Sequence, residues 1–318
     1  MRKIVQAQAG GAWQEGRKES TMTFALFAAT VLIWGTTWIA IAMQLGPVPV
    51  LTSVFYRFAL AAVLMLPGLA ALGRLTPVPR GGHRFVLLQG LCLFSFNFIC
   101  FYNATRFIPS GLVSVIFSLA TIYNAVNARL IFGDRIAPRA LWATVLGAVG
   151  LVALFAPDLI GHAADLDTLK GIGLAGLGTL FFSFGNMVSR RNSAAGIPPL
   201  TANAWGMSYG ALVLLAIILA TGTPIVAPPD LRYGAALIYL SVFGSVVGFT
   251  TYLMLVARVG TGKAAYATVM FPVIALMASS VFEGFVWTPL ALAGLGLTLA
   301  GNAVMFARLP NLRRRSPA

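Results

Sequence analysis

Few residues in this chain have chemistry to offer, and most of those are uncharged. Arg57 is the exception: it stands inside the apolar stretch YRFALAAVLML, Tyr56 to Leu66. A helix through that stretch puts it roughly 9 Å from the nearer end. A guanidinium at such a depth in lipid is costly unless it is paired, solvated or able to snorkel. It therefore either faces an internal cavity, meeting a carboxylate or a helix C-terminus, or reaches back to the interface. Trp34, Thr37 and Trp38 lie in the middle of an apolar run. Their aromatic faces and hydroxyl suit a zwitterionic or partly apolar solute, or serve helix packing. Asn97 and Tyr102 share the third apolar run, and Tyr252 lies in the eighth. Thr121, Asn124 and Asn127 recur every three residues and so share one helix face. Such a face turns from lipid and either lines a cavity, the favoured reading, or bonds a neighbouring helix. Pro272, mid-run, removes a backbone hydrogen bond and is a hinge candidate or a fixed bend.

Several chemistries have no residues to support them. His83 and His162 fall in connections, Asp158, Asp165, Asp167 and Asp230 fall outside the apolar runs, and Glu283 falls at the end of one. Proton relays use acids or histidines at mid-depth, so no buried acidic proton carrier is expected. Cys92 and Cys100 are about 12 Å apart along a helix, too far for a disulfide. There is no metal-ligand spacing and no phosphate-cradling loop. No catalytic residue, metal or cofactor is expected.

These residues need apolar elements to hold them. The chain of 318 residues is 58% hydrophobic and 9% charged, with mean hydropathy +0.86. A soluble domain averages roughly 25% charged residues, so the bilayer is the expected solvent. The net charge of +14 falls between apolar runs and at the C-terminus rather than on a helical stripe. Nucleic acid is therefore not an expected partner.

Ten runs are long enough to cross: 23–43, 51–73, 85–106, 110–131, 139–156, 171–189, 200–221, 233–257, 262–282 and 289–307. Of the 22 Lys and Arg, only Arg106, Lys170 and Arg232 fall in outer segments when the N-terminus is inside, and Arg57 falls in a span. That asymmetry predicts both termini in the cytoplasm. The chain then divides into a cytoplasmic leader (1–22), a first unit (23–156), an outer linker (157–170), a second unit (171–307) and a basic tail (308–318). The leader lacks a signal-peptide core and reads as irregular.

The two units resemble each other at a shift of about 150 residues. Phe184-Gly185 falls on Trp34-Gly35 and Tyr252 on Tyr102. One residue further, Gly262 falls on Gly111, Gly284 on Gly133, Pro289 on Pro138 and Gly301 on Gly150. Five spans per unit make the second enter from the opposite side, which predicts inverted repeats and two similar states, one open to each side.

The chain resembles the EamA family of the drug/metabolite transporter superfamily. The resemblance rests on IWGTTW (Ile33 to Trp38), YRFALAAVLML, NATRFIPSG (Asn103 to Gly111), FGDRIAP (Phe132 to Pro138), LVARVGTGKAA (Leu255 to Ala265) and MFPVIA (Met270 to Ala275). Thr121 departs from it where family members often carry proline, while Pro272 keeps the pattern. The resemblance implies an all-α membrane protein moving small metabolites, amino acids or derivatives foremost, often outward. The expected partners are a small-molecule solute and the lipid bilayer. The small-residue pairs Gly206/Gly210 and Gly244/Gly248 serve close packing within the chain or a homodimer. A membrane-embedded lipid-modifying enzyme or a scramblase is the alternative; the first lacks site chemistry, and the second would need a polar groove facing lipid.

Overall fold

The computed structural model describes residues 2–136, 138–161, 166–259, 264 and 266–306. Among them the chain is helical and contains no strand. The expected basic tail, Gly260 to Lys263, His162 and Asp165 lie outside the described residues.

Among the described residues ten helices follow one another: α1 (Arg2–Ala42), α2 (Val50–Ala71), α3 (Arg80–Ala104), α4 (Ser110–Phe132), α5 (Pro138–Gly161), α6 (Leu166–Ala194), α7 (Pro199–Thr221), α8 (Leu231–Val256), α9 (Tyr266–Phe282) and α10 (Pro289–Phe306). Eight contain stretches long and apolar enough to cross a membrane; the apolar parts of α9 and α10, Ala267–Phe282 and Pro289–Val304, are shorter. Large apolar side chains such as Val63, Trp142, Leu212 and Val281 stand exposed on the outside, where lipid replaces water as solvent.

Three boundaries differ from the sequence reading. Helical backbone runs from Arg2 through the segment read as an irregular leader, and the apolar part of α1 starts at Thr21. The linker read as 157–170 is mostly helix, since α5 reaches Gly161 and α6 begins at Leu166. The ends of α6 are polar, which hides them from an apolar scan. Lys170 and Asp167 pair there at 2.7 Å, one turn apart.

The helix ends show how sequence sets the elements. Pro49 and Pro198 precede α2 and α7 in matching extended geometry. Gly133 and Gly284 take left-handed φ of 73° beyond α4 and α9, a conformation open to glycine at little cost. In both caps the next residue's N–H reaches back six residues, Asp134 to Ala128 O and Phe285 to Ser279 O, each at 3.3 Å. α3 and α8 each carry a π-helical stretch, Cys92–Phe96 and Tyr239–Val247. α4 has a local turn at Leu119, between Ser118 and Ala120.

Small residues set the packing, as expected where no hydrophobic force drives helices together. α5 and α10 meet backbone to backbone. A β-carbon added at Gly150 would lie 2.5 Å from Thr298 Oγ1 and 2.6 Å from Gly294 O; one at Gly301 would lie 2.8 Å from Ala143 O and 3.1 Å from Gly147 N. α2 packs on α7 and α8, α3 on α6 and α7, α1 on α8 and α9, α6 on α3 and α4, and α4 on α9. Thr52 donates to Pro224 O at 3.0 Å, and Thr201 Oγ1 bonds Thr76 Oγ1 at 3.0 Å, tying each of α2 and α7 to the segment after the other. Both small-residue pairs act inside the chain: Gly206 faces Gly90 and Phe94, Gly210 faces Ser95, Gly244 faces Thr37 and Gly248 faces Trp34.

Candidate solute-binding site

Arg57 is 3% exposed, so it does not snorkel to the interface. Its Nε donates to Ser245 Oγ at 3.2 Å. Its guanidinium carbon lies 4.3 Å from the Phe98 ring centroid and 5.2 Å from that of Phe58, the range of a cation–π contact. Its NH1 has no partner. The ion pairs among the described residues, Lys170–Asp167 and Arg190–Asp134, are solvent-exposed at helix ends, so no carboxylate there balances the charge.

Around Arg57 the polar groups form a chain of contacts. Tyr102 adjoins Arg57, is fully buried, and donates to Gln44 Oε1 at 2.6 Å. That bond leaves the buried Gln44 Nε2 without a partner. Ser245 Oγ accepts from Arg57 and donates to Leu240 O at 2.9 Å. It reaches five residues back because the π-helical stretch widens the turn, a distortion frequent at functional sites. Ser241 Oγ, also buried on that stretch, is unpartnered.

Trp34 joins this region through α8. Its Nε1 donates to Gly244 O at 3.1 Å, and its ring meets Phe249, Tyr252 and Phe271 at centroid distances of 5.1, 5.1 and 5.5 Å. Tyr252 is thus an aromatic neighbour of Trp34. Thr37 donates to Trp34 O at 2.7 Å, so its hydroxyl is spent within its own helix, while its methyl lies against Gly244. Trp38 is buried between Phe101 and Phe117 and packs the core.

The polar face of α4 is not one lining. Thr121 donates to Asn302 Oδ1 at 2.8 Å on α10, and Asn302 Nδ2 donates to Ser118 Oγ at 3.1 Å. Asn124 Oδ1 accepts from Asn186 Nδ2 at 3.3 Å, and Asn127 Nδ2 donates to Ser183 Oγ at 2.8 Å, both on α6. The face favoured for a cavity instead bonds helices on two sides. Asn97 is buried on α3 with Oδ1 held by Phe98 N at 2.8 Å and Nδ2 unpartnered. Pro272 lies inside α9, which stays helical through it; the local turn falls instead at Leu119 on the facing α4, which lacks proline.

The site reading missed Gln44, Ser241 and Ser245, since single polar residues near a run's end or among small residues carry no periodic signal. It also missed a buried amide relay at the far ends of α3, α6 and α7. Gln89 Nε2 donates to Asn203 Oδ1 at 3.0 Å, and Asn192 Nδ2 donates to Gln89 Oε1 at 2.9 Å. Glu283 ties the end of α9 to the start of α4: Oε2 accepts from Ser110 Oγ and Ser279 Oγ, each at 2.6 Å, and Ser110 N donates to both carboxylate oxygens. An open groove of ≈ 500 Å³ lies elsewhere, lined by Tyr56, Ala59, Leu60, Val63, Ala227, Pro228 and Leu237. It is apolar and holds none of the expected site residues.

Comparison with known proteins matches residues 21–156 and 169–307 to the EamA-like transporter family. The "Uncharacterized inner membrane transporter YedA" of Escherichia coli is 26% identical over 276 residues, 86% of this chain and 87% of that protein. A "Probable amino-acid metabolite efflux pump" of Salmonella typhimurium is 24% identical, covering 85% of this chain and 90% of its own. A "Probable terminal-alkyne amino-acid exporter" of Streptantibioticus cattleyicolor is 24% identical, covering 91% and 94%. A solved crystal structure superposes with TM-score 0.64 at 18% identity over 90% of this chain and 96% of its own, which shows the fold. Two family matches spanning the apolar helices place this chain among multi-pass membrane transporters rather than enzymes, and it belongs to the EamA-like transporter family.

Proposed function

We propose that the chain moves small polar metabolites, amino acids or their derivatives, out of the cell by alternating access. The chamber lies between two inverted five-helix repeats, 23–156 and 171–307, and ten helices span the bilayer. The observation that carries this is an exchange symmetry in the packing. Renumbering each helix by five turns the α1–α8 contact into α6–α3, α1–α9 into α6–α4 and α2–α8 into α7–α3, and leaves α2–α7, α4–α9 and α5–α10 unchanged. The glycine seam follows the same rule, Gly150 against Gly294 exchanging with Gly301 against Ala143. So do the caps at Gly133 and Gly284 and the π-helical stretches in α3 and α8. Such a pair of units gives two near-equivalent states, one open to each side.

The Arg57 cluster draws on α2, α3 and α8, and so on both units. The distribution of Lys and Arg supports both termini in the cytoplasm of the inner or plasma membrane. The named relatives support amino-acid metabolites as the solute class and export as the direction. The apolar character of the groove beside α2 favours transport over lipid scrambling. Purified protein in liposomes, loaded with labelled amino acids and exchanged against unlabelled ones, should show saturable counterflow. Absence of counterflow across amino acids, nucleobases and sugars would sink the proposal. Reporter tags at the two ends should face the same compartment.

A further inference from the structure

The geometry points to a carboxylate as the group the chain recognises, with Arg57 as its anchor. The inference deepens the transport reading and rests on it for the chamber. Arg57 carries a buried charge with no acid facing it among the described residues. Beside it NH1 lacks an acceptor, and Gln44 Nε2, reached through Tyr102, lacks one too. These unspent groups are N–H donors, and the charge among them is positive. Water would satisfy the donors but leave the charge uncompensated, whereas an anion does both. Beside Gly244 the packing is tight, since an added β-carbon would stand 2.8 Å from Thr37 Cγ2 and 3.5 Å from Arg57 NH2, so the carboxylate enters when α8 draws back from α1 and α2. Phe98 covers a face of the guanidinium and Ser245 occupies Nε. NH1 is left without an acceptor beside the Tyr102 hydroxyl, and a carboxylate taking the NH1/NH2 edge would give a flat two-oxygen bidentate geometry.

The test uses the full chain, purified, with a panel of α-amino acids, their decarboxylated amines and their amides. Melting temperature and liposome counterflow are read for wild type, Arg57→Lys and Arg57→Met. The acids should raise the melting temperature and compete in counterflow, while amines and amides do so at least tenfold less well. Arg57→Met should lose the acid effect, and Arg57→Lys should retain part of it. Without solute, Arg57→Met should melt at or above wild type, because it removes an uncompensated buried charge. If Arg57 only bolted α2 to α8 through Ser245, Arg57→Met would instead melt lower and Ser245→Ala would mimic it. That result overturns the inference, as does equal handling of acids and amides with counterflow intact, which spares the transport reading. An acid-specific rise in melting temperature with no counterflow would keep the carboxylate site and overturn transport. No shift and no counterflow would overturn both.

Discussion

Glu283 fills the role that a Ser or Asp N-cap usually fills, but from another helix. Its carboxylate meets the first N–H of α4 and the Ser110 hydroxyl, where the helix dipole favours negative charge. Glu283→Gln should keep the shape and lose the charge, costing about 1 kcal/mol by analogy with cap substitutions, measured by thermal unfolding in detergent. Asp134 behaves differently. Arg190 donates to it at 2.6 Å and holds its carboxyl below the usual carboxylate value. A depressed folded value stabilises above the unfolded pKa of about 3.9 and ceases to do so as pH falls through the folded value. Asp134→Asn should therefore lower the melting temperature slightly at pH 7, and the difference should fade as pH falls through the depressed folded value and vanish below it. The pair is exposed, so the effect is small. At this scale the sequence marked Arg57 because a lone charge in an apolar run is conspicuous. It passed over Gln44 and Ser245 because their meaning arises only when α1 and α8 are brought against α2 and α3.

Among the elements, glycine contacts carry the load that apolar burial carries in water. Gly150→Ala places a methyl against the α10 backbone and should cost about 1–3 kcal/mol, the range for overpacking. Gly173→Ala, with open space around its β position, should be silent in the same melting assay. Pro272 and the turn at Leu119 lie on α9 and α4, two helices that pack together. Pro272→Ala should restore a backbone bond and stabilise α9. If α9 bends during turnover, the same change should slow counterflow without weakening solute binding, and unchanged rates would make Pro272 a fixed bend. Most helix ends were legible to within a few residues because apolar runs stop at Gly and Pro, while the polar ends of α1 and α6 were not. The π-helical stretches were not, because nothing local distinguishes a widened turn from a regular one. The polar face of α4 was legible as a face; its division between α6 and α10 depends on which neighbours surround it.

For the molecule as a whole, the unit duplication was readable from a handful of glycines and prolines, since these fix backbone geometry and survive where side chains drift. Which side chains surround Arg57 was less readable, because the sequence places residues on helices without saying which helices meet. Among the described residues, no acid or histidine joins the Arg57 cluster, so counterflow should persist when the proton gradient is collapsed with an ionophore. A strict dependence on that gradient, abolished by Glu283→Gln, would reverse this expectation.

The seam between α5 and α10 has a mechanical consequence. Main chain rests on main chain at Gly150 and Gly294 and again at Gly301 and Ala143, so at these points the two helices have little room to slide or roll. Under the alternating access proposed above, this pair would be the fulcrum and the helices beyond it the levers. Deuterium uptake compared between states locked open to opposite sides should leave α5 and α10 equally shielded in both, while α1, α4, α6 and α9 trade protection.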